Sequence, residues 1–251
     1  MRRDSITFSP LLSSKEFIVP RIRLDMTLEI VNSNFACNCK ICTLLNKEYL
    51  GAGDDRPWMS TSDYSAFISV GALVPGWTLL VPRRHAINMQ GCYADEEFWK
   101  FAREAVTQLT AQYGKIVAFE HGPNASESLT GCGTGHAHLH LVPLNFALSQ
   151  RAISYDQSRH WEQCSFSEIA QKAGSNEYLF VVDAFEAEGS SGFLSSLSEP
   201  TSQFFRKVIA RELGMSEFSD YRRYPMLDIV ESSTLTMEAR LAEYALHTEI
   251  K

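Results

Sequence analysis

Gly135-His136-Ala137-His138-Leu139-His140-Leu141-Val142-Pro143 is the stretch whose reading decides the fold. Its apolar residues favour an extended strand, and in a strand successive side chains alternate between faces. His136, His138 and His140 therefore share one face, while Ala137, Leu139 and Leu141 point the other way into a core. A buried imidazole needs partners for its nitrogens. One histidine in such a run is more often a satisfied core residue; three at period two point to function. Two chemistries use that spacing. A His-x-His pair on a strand can grip a metal ion. Alternatively, a neutral imidazole can attack phosphorus near pH 7 while its neighbours hold its tautomer and supply a proton to the leaving group.

Working outward, Phe67-Ile68-Ser69-Val70 and Thr78-Leu79-Leu80-Val81-Pro82 read as two strands of an antiparallel hairpin around Val74-Pro75-Gly76-Trp77. The clearest helix follows. Asp95 caps it, Glu96 and Glu97 suit the positive end of its dipole, and Phe98, Phe101, Ala102, Ala105, Val106 and Leu109 recur at helical spacing before Gly114 closes it. Ile116-Val117-Ala118-Phe119 reads as a buried strand leading into Glu120-His121-Gly122-Pro123, and a loop from Asn124 to Gly135 precedes the histidines. Glu186 to Ser202 is rich in Ser, Gly and Glu and reads as a flexible loop or lid. Pro200-Thr201-Ser202 is expected to cap a helix with Phe204, Phe205, Val208, Ile209 and Leu213 on its apolar face, ending at Gly214. A last amphipathic stretch runs from about Thr234 to His247.

The chain has 251 residues, 45% of them hydrophobic and 21% charged, which describes an ordinary soluble protein able to bury a large core. No apolar run approaches the roughly 18 residues of a membrane helix, and Met1-Arg2-Arg3-Asp4 leads into no apolar segment of the signal-peptide kind. A net charge of −7 argues against coating nucleic acid but leaves room for a small phosphorylated ligand bound by a local cluster of Arg and His. Of the six cysteines, Cys37, Cys39 and Cys42 crowd one short segment. That pattern fits a metal and a reducing cytoplasm better than a secreted disulfide framework. Cys39-x-x-Cys42 has metal-ligand spacing but supplies only half a site; buried thiols or a redox pair are the alternatives. Cys92, Cys132 and Cys164 read as unpaired. Arg83 and Arg84 are candidates to approach phosphate, or a solvated strand end. Gln203, Arg206 and Lys207 sit together at the start of the C-terminal helix, where they would either offer a helix N-terminus and two cations to a phosphate chain or form an exposed polar face.

In four ordered motifs the chain resembles the histidine-triad superfamily of nucleotide hydrolases and transferases. His136-Ala137-His138-Leu139-His140-Leu141-Val142 resembles its signature. Val74-Pro75-Gly76-Trp77-Thr78-Leu79-Leu80-Val81-Pro82-Arg83-Arg84-His85 resembles its hairpin, Glu120-His121-Gly122-Pro123 the short motif that precedes the triad, and Cys39-x-x-Cys42 the zinc-binding opening of several members. The resemblance covers about Cys37 to Pro143. It implies an α+β fold, an antiparallel sheet of about five strands with flanking helices, with a catalytic domain at 1–148 and a mixed C-terminal extension at 149–251 packing on it. It implies that His138 attacks an α-phosphate to give a covalent nucleotidyl-histidine, that His140 orients and polarises the site, and that no catalytic metal is needed. By likeness to the hexose-phosphate uridylyltransferases, Cys39, Cys42, His85 and His136 would hold a structural zinc, with Cys37 a possible substitute for Cys39. Ser69, Glu120, His121, Thr134, Gln203, Arg206 and Lys207 are the expected substrate-binding residues, and a homodimer is expected from relatives of this type.

The sequence also departs from the small polyphosphate hydrolases. Trp77 stands where a hairpin histidine is usual, Cys132 or its neighbours where a glutamine usually precedes the triad, and Ser69 near where an Asn or Asp would hold ribose hydroxyls. Phosphate chemistry is thus better supported than recognition of a ribose or base. Two other readings stay open: a nucleotide-binding protein with little turnover, and a metal-dependent hydrolase that uses the His-x-His pair as ligands.

Overall fold

The computed structural model describes residues 39–46 and 56–248; Cys37 and the segment Phe17 to Ile30 lie outside them. The described strands are β1 (Met59–Ser60), β2 (Tyr64–Ile68), β3 (Thr78–Pro82), β4 (Ile116–Gly122), β5 (Leu139–Pro143), β6 (Glu162–Ser165), β7 (Glu177–Val182) and β8 (Ser191–Leu197). They form one sheet in the order β1-β2-β3-β5-β4-β7-β8-β6, and every neighbouring pair is antiparallel. Helices α1 (Lys40–Asn46), α2 (Glu96–Tyr113), α3 (Leu148–Tyr155), α4 (Ile169–Ala173), α5 (Phe204–Glu212) and α6 (Leu227–Thr248) flank it. No helix among the described residues is long and apolar enough to cross a membrane.

The α+β class stands, but the sheet has eight strands where about five were expected. The additional strands come from residues 149–251. These do not merely pack on a finished sheet: β7 pairs with β4 through Phe119↔Val181 and His121↔Leu179, and β8 and β6 continue outward. The segment expected to be a flexible loop or lid contains β8. Its Ser and Gly content suggests a loop, yet Gly192, Leu194, Ser195 and Leu197 are buried. Gly192 is small for a steric reason, since a β-carbon there would lie 1.9 Å from the carbonyl oxygen of Val181 on β7.

The helix and hairpin expectations hold. The Asp95 carboxylate accepts the Glu97 N–H at 3.0 Å and the Tyr64 hydroxyl at 2.6 Å, so one side chain caps α2 and ties it to β2. Gly114 closes α2 with φ 84°, a conformation that favours glycine. Phe98, Phe101, Ala102, Ala105, Val106 and Leu109 are buried where α2 packs across β2, β4 and β5. Burial of each large side chain contributes about 1.5–3 kcal/mol. The cap of α5 differs from the expectation: Gln203, with φ 56°, precedes the helix in place of Ser202.

The other face of the sheet carries Phe67, Leu79, Val81, Phe119, His121 and His140, which line one cavity. Register explains the grouping, because His140 on β5 pairs with Leu79 on β3 and with Phe119 on β4, placing all three side by side. If Gly192 is the contact that admits β8, Gly192→Ala should lower stability by about 1–3 kcal/mol through overpacking against backbone. Thermal or urea unfolding reads this directly, and an unchanged transition would mean that β8 does not approach β7 so closely.

Candidate functional site

The segment that delivers the histidines is extended but enters the ladder only at Leu139. Before that, the Ala137 N–H donates to the Ala86 carbonyl at 2.7 Å and pins the segment beside the turn that carries His85. Ala137, Leu139 and Leu141 are buried in the core, as the alternation requires. His138 and His140 open onto the cavity, whereas His136 turns towards the cysteines.

Each buried ring has a partner that fixes its tautomer. His136 Nε2 lies 2.8 Å from the Pro82 carbonyl oxygen, which can only accept, so Nε2 carries the proton and Nδ1 keeps its lone pair. That Nδ1 stands 3.4 Å from Cys39 Sγ and 3.5 Å from Cys42 Sγ, and His85 Nδ1 is 3.3 Å from Cys42 Sγ. The four ligand atoms all lie within 4.8 Å of one another. A tetrahedral ion at about 2.3 Å from sulfur and about 2.0–2.1 Å from nitrogen holds S and N about 3.6 Å apart, so the donor set fits a four-coordinate metal. Burial pushes His136 down to about 4, which keeps its ring neutral and able to ligate.

His138 Nδ1 lies 2.8 Å from the carbonyl oxygen of His136 and must donate to it, leaving the Nε2 lone pair unprotonated. The opposite arrangement holds at His140. The indole N–H of Trp77 can only donate, and it donates to His140 Nδ1 at 2.9 Å, so the proton of His140 sits on Nε2. Phe119 stacks on His140 with ring centroids 4.2 Å apart and planes 19° from parallel, and His138 lies edge-on at 4.7 Å. His121 Nε2 accepts the Phe205 N–H at the start of α5 at 3.4 Å. Its Nδ1 therefore bears a proton, and that atom is buried with no hydrogen-bond partner among the described residues. Burial lowers the pKa of His138, His140 and His121, the last to about 3, so all three rings are neutral at pH 7.

These rings line a cavity of about 1090 Å³, at the upper end of what small-molecule sites need. Ser69, Thr134, Gln203 and Arg206 join His121, His138 and His140 in its wall. Glu120 does not. Neighbouring residues on a strand face opposite ways, and Glu120 points to the α2 side, where it accepts the Met89 N–H at 2.8 Å and the Tyr93 hydroxyl at 2.6 Å. Burial pushes its carboxyl up to about 7. Lys207 is exposed on α5 and is not part of the wall, and neither are Arg83 and Arg84. Arg83 instead donates to the Leu45 carbonyl at 3.0 Å and steadies the end of α1. Cys92, Cys132 and Cys164 are free thiols, and Cys132 lies in the cavity wall.

Sequence reasoning missed four contributors. Trp77 was noted only as a departure from the hairpin pattern, yet it sets the tautomer of His140. Phe119 was assigned to the core without its ring stack. Tyr221 and Arg222 reach the cavity from a segment far along the chain that carried no signal. No protein-family model matches the chain, and no curated protein matches it.

Untagged, purified protein should hold about one metal ion per chain by elemental analysis, and Cys42→Ser should lower that occupancy at least tenfold, on the order of one ligand's contribution. Metal-free protein as isolated would contradict the four-ligand assignment.

Proposed function

We propose that the protein is a nucleotide phosphohydrolase or nucleotidyltransferase that works at the α-phosphate of a nucleotide conjugate through a covalent nucleotidyl-His138. The observation that carries this reading is the hydrogen bond from His138 Nδ1 to the His136 carbonyl. It fixes the nucleophilic tautomer of a residue that lines the cavity, with a lone pair on Nε2 and the Nδ1 proton already engaged, so positive charge that builds on the ring during attack is met by a carbonyl dipole.

In the first half-reaction His138 Nε2 forms a bond to phosphorus, and the bond from phosphorus to the leaving group breaks with its electron pair going to the leaving atom. The Nε2–H of His140 is the imidazole donor available for the phosphoryl oxygens. In the second half-reaction water or another acceptor oxygen attacks phosphorus, the P–N bond breaks and His138 regains its lone pair; the acceptor's proton leaves to solvent. Trp77 and Phe119 hold His140 so that no reorientation is needed as charge develops. Cys39, Cys42, His85 and His136 suit zinc in particular, since two thiolates and two imidazoles close its shell. Zinc bound there supplies structural cross-linking rather than Lewis-acid chemistry, because no ligand position is left open. The histidine-triad resemblance supports the same division of labour.

A metal-dependent hydrolase finds less support. The His138 and His140 nitrogens are separately engaged by a carbonyl and an indole, and no carboxylate lines the cavity among the described residues to complete a catalytic ion site. Incubation with a panel of nucleotide conjugates, a base quench and intact-mass measurement should reveal a mononucleotide adduct that His138→Ala abolishes. Turnover without an adduct, abolished by chelators, would overturn the reading in favour of metal-dependent hydrolysis.

A further inference from the structure

The cavity wall has an unusual charge balance. The protein as a whole carries 30 acidic and 23 basic residues, yet the described residues lining the cavity include Lys40, Arg206 and Arg222 and not one Asp or Glu. Arg206 is only 5% exposed, and no carboxylate lies within ion-pair distance of it among the described residues. Its Nε and one terminal nitrogen donate to the carbonyls of Ser219 and Phe218 at 2.7 and 3.0 Å, and its guanidinium lies over the Trp77 ring at 5.6 Å. Asp220 acts on it through space from beyond ion-pair distance, and carbonyls orient a guanidinium without neutralising it, so a buried cation of this kind favours an anion in the cavity it faces.

Arg222 completes the arrangement from a segment that is itself fastened to the site. The Tyr221 hydroxyl donates to the Cys132 carbonyl at 2.9 Å, and the Gly71 N–H donates to the Pro225 carbonyl at 2.6 Å. Between those ties, the Arg222 guanidinium reaches over Gly133, on the loop that leads into the histidines. A β-carbon at Gly133 would lie 2.1 Å from one terminal nitrogen of Arg222, and Gly133 has φ 76°. The contacts of Arg222 to the Cys132 carbonyl and Tyr221 hydroxyl, both 3.5 Å, stand at the outer limit of hydrogen bonding and leave its donors available for a stronger acceptor.

We propose that Arg206 and Arg222, with Lys40 of α1 in the same cavity wall, form a subsite for a phosphate chain, so that the group displaced from the α-phosphate is a polyphosphate rather than an amine or a neutral alcohol. The substrate assignment rests on the nucleotidyl-transfer reading above; the anion subsite itself does not. The chemistry is consistent within the site. When the P–O bond to the chain breaks, the electron pair stays on a phosphate oxygen that needs no proton, and the guanidinium groups meet its new charge. An amine would need a proton delivered as it leaves, and the described wall holds no carboxylic acid to give one.

The test is calorimetric titration of the full-length, metal-replete chain with inorganic pyrophosphate, which carries no nucleoside and reads the subsite without nucleotidyl transfer. Arg222→Gln should weaken binding by about tenfold or more, the size of a charge-assisted contact. Gly133→Ala should weaken it similarly by displacing an intact Arg222, whereas Arg223→Gln, a neighbouring exposed cation outside the wall, should change it less than about twofold. Melting curves for each variant report whether the fold is retained. Pyrophosphate binding that survives Arg222→Gln, or that Arg223→Gln weakens as much, overturns the subsite even if the His138 adduct is found. Arg222-dependent binding with no adduct on any conjugate leaves the subsite standing and removes the leaving-group assignment.

Discussion

Three buried imidazoles and a half-buried fourth, on or beside one sheet, each present two nitrogens, and an unsatisfied buried one costs about 1–3 kcal/mol. How those nitrogens are paired sets the tautomer of each ring. Partners that can only accept, the carbonyls of Pro82 and His136, force protons onto His136 Nε2 and His138 Nδ1. Partners that can only donate, the Trp77 indole and the Phe205 amide, force lone pairs onto His140 Nδ1 and His121 Nε2. The same rule therefore turns the His136 Nδ1 lone pair towards Cys39 and Cys42, leaves His138 Nε2 unprotonated, and places protons on His140 Nε2 and His121 Nδ1. Because burial also keeps the rings neutral, the assignment does not depend on a titration in the physiological range.

The cysteine–histidine cluster and the cavity share an element. Helix α1 spans Lys40–Asn46 and carries Cys42 on one side, while its Lys40, Ile41, Thr43 and Leu44 line the cavity. A helix this short has little stability of its own. Its position rests on the cysteine–histidine cluster at one end and on the Arg83 contact to Leu45 at the other. Folding the histidine segment thus builds a wall of the cavity at the same time, since His136 is both the neighbour of His138 and an anchor of that wall.

Much of this was legible in the sequence, and the limits have physical causes. Period-two alternation was enough to separate His138 and His140 from Leu139 and Leu141, and capping chemistry located α2 between Asp95 and Gly114. The ligand set came from resemblance, since only Cys39 and Cys42 have diagnostic spacing, and the distances now bring His85 and His136 to them. Glu120 and His121 were assigned together, although adjacent strand residues face opposite ways and only His121 reaches the cavity. The Ser- and Gly-rich stretch around Gly192 read as loop because local composition does not show that a close strand approach excludes a side chain. Arg222 and Tyr221 were invisible for a different reason: tertiary ties to Cys132 and Gly71 bring them in, and no local pattern encodes such ties.

The central claim concerns where protons sit, and it can be measured without a substrate. Long-range proton–nitrogen correlation spectra of protein labelled with nitrogen-15 histidine distinguish protonated from unprotonated ring nitrogens. Assigned by single-site variants at pH 7, His138 should show a protonated Nδ1 and a lone pair on Nε2, with His140 showing the reverse. A proton on His138 Nε2, or the same tautomer at both positions, would contradict the account.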